Sequence, residues 1–470
     1  MLMFSAVNSL LNSLDDKVWG LWLIILILAT GIMLTVRLRG MQFTKLGRAL
    51  KSIRRKPDGE HGEVSSLGAL CTALSATIGT GNIVGVATAI VAGGPGAMFW
   101  MWLAALFGMA TKYAECLLAV HYREVAADGH ILGGPFYTIE KGMGAKWKWL
   151  AKIFAVFGTM VGLFGIGTFT QVNSISNAVN TFFDPENAWT VNLFGNTYSW
   201  TVVIAGLFVA VFAALIIIGG LKRISKVAQI LVPFMAVMYV IFGLIVIFTH
   251  FAAVPAAFSE IFRDAFGARA AAGGALGAMF IAMQKGIARG IFSNEAGLGS
   301  APIAASAAQV AEPVQQGLIS MTGTFFDTIV ICTLTGLVIV IGGTWNTGLQ
   351  GYAVTNAAFM KGLPMISNVI AFILMICLVL FAFTTILGWD YYSERCIEYL
   401  SGGKMNVVKV YRWLYIVCVF IGPYMTISAV WTIADIVNGL MAVPNIISLI
   451  VLSGVVAKMT RDYFNKYPEL

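Results

Sequence analysis

Long apolar segments alternate with short basic segments along this chain, and this pattern restricts the possible fold more than any other feature. A helix that crosses about 30 Å of hydrocarbon needs about 20 apolar residues. The sequence therefore predicts an all-α polytopic membrane protein with eleven transmembrane helices. The predicted spans lie near residues 18–36, 66–93, 97–120, 151–182, 199–220, 227–250, 273–308, 317–342, 366–390, 411–431 and 435–457.

The composition favours a lipid bilayer as the environment of the chain. Hydrophobic residues make up 59% of the sequence and charged residues 11%, whereas soluble proteins carry about 25% charged residues. The net charge of +8 does not indicate a nucleic-acid partner, because the basic residues lie between apolar segments rather than on one face of a domain. The composition leaves the oligomeric state open.

Every second loop is rich in Lys and Arg, as in "RLRGMQFTKLGRALKSIRRK", "LKRISK" and the tail "KMTRDYFNKY". Cytoplasmic loops of membrane proteins carry this excess of positive charge. We therefore expect a multi-pass protein of the cell (inner) membrane with its N-terminus outside and its C-terminus in the cytoplasm.

Two segments of the chain resemble each other and are predicted to cross the membrane in opposite directions. "LGALCTALSATIGTGNI", from Leu67, aligns without gaps with "LGAMFIAMQKGIARGIF", from Leu276. Transporters are often built from such inverted repeats. The sequence thus predicts one N-terminal helix followed by a 5+5 inverted-repeat core with two broken helices. The predicted units are an N-terminal helix and basic linker (1–64), a first repeat (65–250), a second repeat (251–457) and a cytoplasmic tail (458–470).

Gly79, Thr80, Gly81 and Asn82 interrupt an otherwise apolar span. A break in lipid frees backbone N–H and C=O groups, and each costs several kcal/mol unless a cavity, ligand or ion satisfies it. Half-helix N-termini suit a carboxylate, and unwound carbonyls suit a cation. We predict a binding site here, with a second break near Met283 to Gly290. The alternative is a glycine-packed contact between helices.

Three motifs, "GTGNIVGVATAI", "GGPGAMFW" and "GIFSNEAGLGSAPIAA", resemble the alanine or glycine:cation symporter family, also called the sodium:alanine symporters. The resemblance extends over essentially the whole chain. It implies a leucine-transporter-type fold and sodium-coupled uptake of small neutral amino acids, alanine or glycine, with Na⁺ as the coupling ion. A proton-coupled symporter or exchanger of the same fold is the alternative function.

The resemblance also implies which residues bind the substrate and sodium. The backbone N–H groups of Thr80 and Gly81 would meet the substrate carboxylate, and Asn82 would offer its side-chain oxygen to sodium or substrate. Together, the resemblance, the two predicted breaks and the polar or bulky residues of the neighbouring spans give the expected substrate-binding residues, which are Gly79, Thr80, Gly81, Asn82, Gln171, Met283, Gln284 and Trp389. The expected sodium ligands are Ser75, Thr77, Ile78, Asn82, Thr384 and Thr385, where the two last threonines would supply hydroxyl groups.

Several of these residues have an alternative interpretation. Thr384 and Thr385 would instead bond the backbone of their own helix, as threonines in membrane helices often do. Gln171, in "GTFTQVNSISN", is a candidate acceptor for the substrate amino group, but a hydrogen bond between helices is equally expected of it. Trp389 lies one turn after Thr385 and would close the cytoplasmic side of the pocket or anchor the helix at the interface.

Charged residues inside the membrane are functional candidates. Lys285 and Arg289 lie four residues apart and share a helix face, and Asp327 lies deep in the next span. We expect a charge network in which Asp327 pairs with Lys285 or Arg289. Direct cation binding or proton coupling by Asp327 is the alternative.

The sequence does not indicate an enzyme. The six cysteines and four histidines are scattered, and no set of residues resembles a nucleophile with its base or a metal centre. An ATP-binding GxxxxGK[ST] motif is also absent from the sequence. We therefore expect no cofactor other than Na⁺ as the transported coupling ion.

Overall fold

A computed structural model describes residues 2–54, 59, 61–126, 129–193, 195–267, 274–425 and 427–468. The fold of this part of the chain is almost entirely helical. In chain order its α-helices are α1 (Leu2–Val18), α2 (Leu21–Arg37), α3 (Met41–Thr44), α4 (Leu46–Ser52), α5 (Ser66–Thr77), α6 (Val86–Gly93), α7 (Ala97–His121), α8 (Pro135–Tyr137), α9 (Lys148–Phe164), α10 (Phe169–Phe183), α11 (Trp200–Ile217), α12 (Gly220–Thr249), α13 (Val254–Ala265), α14 (Ala275–Asn294), α15 (Ala301–Ser306), α16 (Pro313–Thr324), α17 (Thr333–Gly342), α18 (Tyr352–Gly362), α19 (Ser367–Ser401), α20 (Met405–Ile421) and α21 (Ile427–Lys466).

Short elements connect these helices. Segments with the wider π-helical turn are Gly81–Gly85, Thr138–Gly142 and Phe325–Cys332, and 3₁₀ turns are Ala145–Trp147, Phe251–Ala253, Thr344–Asn346 and Gly422–Tyr424. Two antiparallel hairpins lie in loops and pair β1 (Glu124–Val125) with β2 (Ile131–Leu132) and β3 (Thr190–Leu193) with β4 (Asn196–Ser199).

The polytopic all-α class is confirmed, but the number of eleven spans is not. Within the described residues, nine helical segments are long and apolar enough to cross a membrane, and one further span forms if the bent pair α5 and Gly81–Gly93 is counted as one. The span predicted at 273–308 is not among these segments, because Gln284, Lys285 and Arg289 lower the mean hydropathy of α14.

Two other predicted segments differ in detail. The span predicted at 151–182 is divided into α9 and α10, which are separated by residues 165–168. The last helix continues through Lys466, so the segment predicted as a tail from residue 458 begins inside α21.

The first break lies where it was predicted, but the second does not. The chain bends by 49° between α5 and the helical segment Gly81–Gly93. In contrast, α14 runs without interruption through Met283 to Gly290. It ends at Glu295, whose φ of 56° is left-handed, and glycines 297 and 299 follow with φ of 91° and 82°. A right-handed helix cannot continue through left-handed residues, so the prediction of a break near Met283 to Gly290 is wrong.

Helix α7 lies at the centre of the bundle and packs against α2, α14, α15 and α16. Its contact with α14 is close, since a Cβ added to Gly286 would lie 2.2 Å from the backbone oxygen of Ala97. Small residues allow membrane helices to approach in this way. Glycine at position 286 therefore sets the distance between α14 and α7.

We predict that Gly286→Ala lowers the stability of the purified protein by about 1–3 kcal/mol, because the added methyl group meets rigid backbone. Gly277→Ala is the matched control on the same helix, since a Cβ there meets no atom within 4 Å. Thermal unfolding in detergent measures both. Equal melting temperatures for the two variants would contradict the close packing.

Candidate functional site

The first break presents backbone groups to the interior of the protein. Helix α5 ends as the Ile78 N–H donates to the Leu74 carbonyl at 2.8 Å. The last carbonyls of a helix have no intrahelical partner, and here they belong to residues 75–78. The Gly79 N–H donates to Asn82 Oδ1 at 2.9 Å, which fixes the turn. Asn82 is fully buried, so the break is a polar, enclosed site.

Residues from three helices meet at this break. The Thr80 N–H donates to Gln171 Oε1 of α10 at 3.3 Å. A Cβ added to Gly79 would lie 2.4 Å from Thr385 Oγ1 of α19 and 3.3 Å from Gln171 Oε1. The hydroxyl of Thr80 is buried and has no hydrogen-bond partner among the described residues. The structure thus brings Gly79, Thr80, Gln171 and Thr385 together.

Asp327 lies beside the same break, within the π-helical segment Phe325–Cys332 that follows α16. Its carboxylate is fully buried. It accepts hydrogen bonds from Asn82 Nδ2 at 2.7 Å, from Ser293 Oγ at 3.1 and 3.0 Å, and from Thr328 Oγ1 at 2.7 Å. The described part of the chain provides no Lys or Arg that bonds to this carboxylate. We call Asn82, Ser293, Asp327 and Thr328 the carboxylate cluster.

The predicted pairing of Asp327 with Lys285 or Arg289 is therefore wrong. Arg289 instead donates to both oxygens of Asp435 on α21, at 3.0 and 2.7 Å. Its guanidinium also lies 5.1 Å from the ring centroid of Trp431. Arg289 precedes Ser293 by one turn of α14, and its long side chain extends away from Asp327 toward α21.

Glu295 organises the second break. Its backbone carbonyl accepts a hydrogen bond from Lys112 Nζ at 2.9 Å, and its carboxylate accepts from Trp389 Nε1 at 2.7 Å and from Ser300 Oγ at 2.5 Å. All four residues are buried. Trp389 therefore connects α19 to the second break, which is compatible with its expected role in closing the pocket.

Met283 and Gln284 are not brought to the site. Gln284 Nε2 donates to the Trp19 carbonyl at 3.3 Å, and Met283 packs against the hydrophobic core. Because the second break begins at Glu295, both lie more than two helical turns before it, about 15 Å from Ser293 at 1.5 Å per residue. Their prediction as substrate-binding residues followed from the misplaced break.

The predicted sodium ligands are only partly assembled. Ser75 Oγ and Thr77 Oγ1 donate to carbonyls of their own helix, those of Thr72 and Ala73. Thr384 Oγ1 and Thr385 Oγ1 both donate to the Phe381 carbonyl of their own helix at 3.0 Å, and Thr384 Oγ1 also lies 3.5 Å from Met235 Sδ of α12. The described contacts thus place Thr385, but not Thr384, against the first break.

Sequence reasoning missed four residues at the site. Ser293 and Thr328 contact Asp327, Asn294 Nδ2 donates to Thr328 Oγ1 at 3.0 Å, and Cys332 Sγ lies 3.4 Å from Asn82 Nδ2. The signal was available in "SNEAGLGSAP", where two polar residues precede three glycine or serine positions and a proline. That composition is typical of a helix end.

Comparison with known proteins supports a transporter. The family described as "Sodium:alanine symporter family" matches residues 4–469. A Haemophilus influenzae protein named as an uncharacterized transporter is 52% identical over 462 residues, which cover 98% of this chain and 97% of that protein. The sodium/alanine symporter AgcS of Methanococcus maripaludis is 46% identical over 463 residues, which cover 97% of each chain.

A solved structure shows the same fold. The crystal structure of MhsT in complex with L-phenylalanine aligns with a TM-score of 0.54 and 13% identity, and the alignment covers 86% of this chain and 99% of MhsT. The fold is that of the leucine-transporter type. The protein is a multi-pass membrane transporter and not an enzyme. The chain belongs to the sodium:alanine symporter family.

Proposed function

We propose that this protein imports small neutral amino acids, alanine and glycine, together with Na⁺ by alternating access. The observation that carries the proposal is the carboxylate cluster. It joins the first broken helix, through Asn82, to the end of α14, through Ser293, and its charge is buried without a cationic side chain bonded to it.

A buried carboxylate without a charged partner is costly, and a bound cation removes that cost. The cluster offers oxygen atoms from a carboxylate and two hydroxyls, and hard cations such as Na⁺ prefer such ligands. The nearby helix-end carbonyls of residues 75–78 extend the oxygen-rich region toward Thr385. The cluster is thus the proposed sodium site, in place of the predicted charge pair.

The substrate is proposed to lie at the first break. Its carboxylate would displace Gln171 Oε1 from the Thr80 N–H and take the N–H groups of Thr80 and Gly81, and the released Gln171 Oε1 would accept from the ammonium group. Thr385 Oγ1 packs so closely against Gly79 that even a Cβ would not fit there, and this close packing favours a substrate with a small side chain. The printed name of the relative AgcS, a sodium/alanine symporter, supports alanine as a substrate.

A cavity of about 660 Å³ lies beside this region, since its lining includes Val84, two residues after Asn82, and we propose it as the entry to the site. Its lining includes Asn173 and Asn177 of α10, together with Arg289, Tyr352 and Trp431. The distribution of basic loops predicts that this side is the exterior. Arg289, which is paired with Asp435, would then line the cavity on the outer side of the membrane.

We expect Asp327→Asn to raise the Na⁺ concentration for half-maximal alanine uptake at least tenfold, a loss of about 1.4 kcal/mol, because the amide removes the negative charge. Uptake into proteoliposomes at varied Na⁺ and fixed pH measures this. Asp16→Asn, an exposed carboxylate on α1, is the control. An unchanged sodium dependence in Asp327→Asn would contradict the proposed sodium site.

The same proteoliposomes distinguish sodium coupling from proton coupling. We expect an inward Na⁺ gradient, and not a pH gradient, to drive alanine accumulation by the unmodified protein. Accumulation driven by a pH gradient without Na⁺ would select the proton-coupled alternative and assign Asp327 to proton transfer.

We expect Gln171→Ala to raise the KM for alanine about tenfold, because the substrate amino group loses a buried acceptor. Gln284→Ala removes the same side chain at a position that faces Trp19 and should leave the KM within twofold of the unmodified value. Initial uptake rates at saturating Na⁺ measure both. A larger effect at Gln284 than at Gln171 would contradict the assignment.

A further inference from the structure

A second, separate cavity of about 450 Å³ lies where α2 and α21 reach the basic side of the protein. It is lined by the end of α2 and the turn that follows it, by α3, and by the last turns of α21. We call it the basic pocket. We infer that the basic pocket binds the headgroup of an anionic phospholipid from the cytoplasmic leaflet.

All the charged residues that line the basic pocket are positive. Arg37, Arg39, Lys45 and Arg461 line it, and its lining includes no Asp or Glu. Within the described residues, none of the four cations forms a salt bridge. Asp462 follows Arg461 on α21 but does not line the pocket. Four cations that converge without a counter-charge form a site for an anion.

Arg48 adds a fifth cation behind the pocket wall. Its guanidinium lies 5.4 Å from the ring centroid of Phe464, and Lys45 Nζ lies 4.8 Å from the same ring. Arg48 Nη1 is buried and has no hydrogen-bond partner within the described part of the chain. Arg48 does not line the pocket, but its positive charge beside Lys45 and Phe464 adds to the attraction of the pocket for an anion.

The turn at Arg39 places its side chain at the basic pocket. Its φ is 55°, a left-handed conformation, and the Gly40 N–H donates to the Thr35 carbonyl at 2.8 Å. This turn is therefore the C-terminal cap of α2, where a left-handed residue is common. The turn holds the Arg39 side chain at the pocket instead of allowing α2 to continue.

The position of the basic pocket indicates that its ligand is a lipid headgroup rather than a soluble anion. Val36 and Phe43, which flank the turn, expose 71% and 56% of their surface, and Val451 on α21 exposes 56%. These apolar groups face the bilayer, so the pocket opens beside acyl chains. Basic pockets between membrane helices on the cytoplasmic side suit acidic headgroups, and arginine guanidinium groups bind phosphate oxygens in pairs.

The test uses the full-length protein in neutral detergent with three added ligands: phosphatidylglycerol, phosphatidylcholine and inorganic phosphate. Binding is followed by native mass spectrometry and by the shift in melting temperature. We expect phosphatidylglycerol to bind and to raise the melting temperature, and we expect phosphatidylcholine and inorganic phosphate to do neither. An equal effect of phosphatidylcholine or of inorganic phosphate would overturn the lipid assignment.

The double variant Arg39→Gln/Arg461→Gln tests whether phosphatidylglycerol binds at the basic pocket. Each removed charge should weaken phosphatidylglycerol binding about fivefold, which gives about 25-fold for the pair. Lys51→Gln/Lys458→Gln removes two exposed lysines from α4 and α21 that do not line the pocket, and its affinity should stay within twofold of the unmodified value. Equal affinities for the two double variants would overturn the proposal. Arg461→Gln alone, at an exposed position, gives the same test if the double variant does not fold.

Discussion

The hydrogen bond from Asn82 to Asp327 is the contact on which the arrangement of the proposed transport site depends. Asn82 satisfies two requirements with one side chain, since its oxygen accepts from the Gly79 N–H and its nitrogen donates to the Asp327 carboxylate. The first contact stabilises the break in the first helix. The second connects that break to the π-helical segment after α16, and Ser293 then brings in the end of α14. Three elements that are distant in sequence are thus held around one buried negative charge.

The second break is stabilised in a different way, and the difference explains how two interrupted helices coexist in one bundle. At the first break, side-chain amides from Asn82 and Gln171 satisfy the backbone. At the second, a charged residue takes part as well: Lys112 donates to the Glu295 carbonyl, the Asn294 amide oxygen accepts from the Ala296 N–H, and Trp389 and Ser300 donate to the Glu295 carboxylate. Asn445 of α21 bonds to both Glu115 and the Gly297 carbonyl, so this polar region extends across the bundle. Neither break leaves the backbone to lipid, as the bilayer requires.

The sequence predicted the class of protein and the first break correctly, because apolar length and the Gly-Thr-Gly-Asn interruption are local signals. It misplaced the second break because the gapless alignment between the two repeats puts the break near residues 283–290. The glycines and the proline near residue 300 mark the actual end of α14. That error moved Met283 and Gln284 into the predicted site and left Ser293 out. The pairing of Arg289 with Asp435 could not be foreseen, since it joins residues 146 positions apart. The division into two repeats, the orientation of the termini and the sodium ligands remain predictions.

Helix α21 is long enough to connect distant parts of the protein. Its 40 residues span about 60 Å at 1.5 Å per residue, and it carries Asp435 near one end, Asn445 in its middle and Arg461 near the other. Pro444 lies beside Asn445, and a proline inside a helix removes a backbone hydrogen bond and favours a bend. Because Pro444 divides the helix, a bend there changes the angle between the half that carries Asp435 and the half that carries Arg461, and Asn445, with its bond to the Gly297 carbonyl, lies at the pivot. The proposed entry cavity and the proposed lipid pocket thus lie on opposite arms of one helix, with the second break beside the joint.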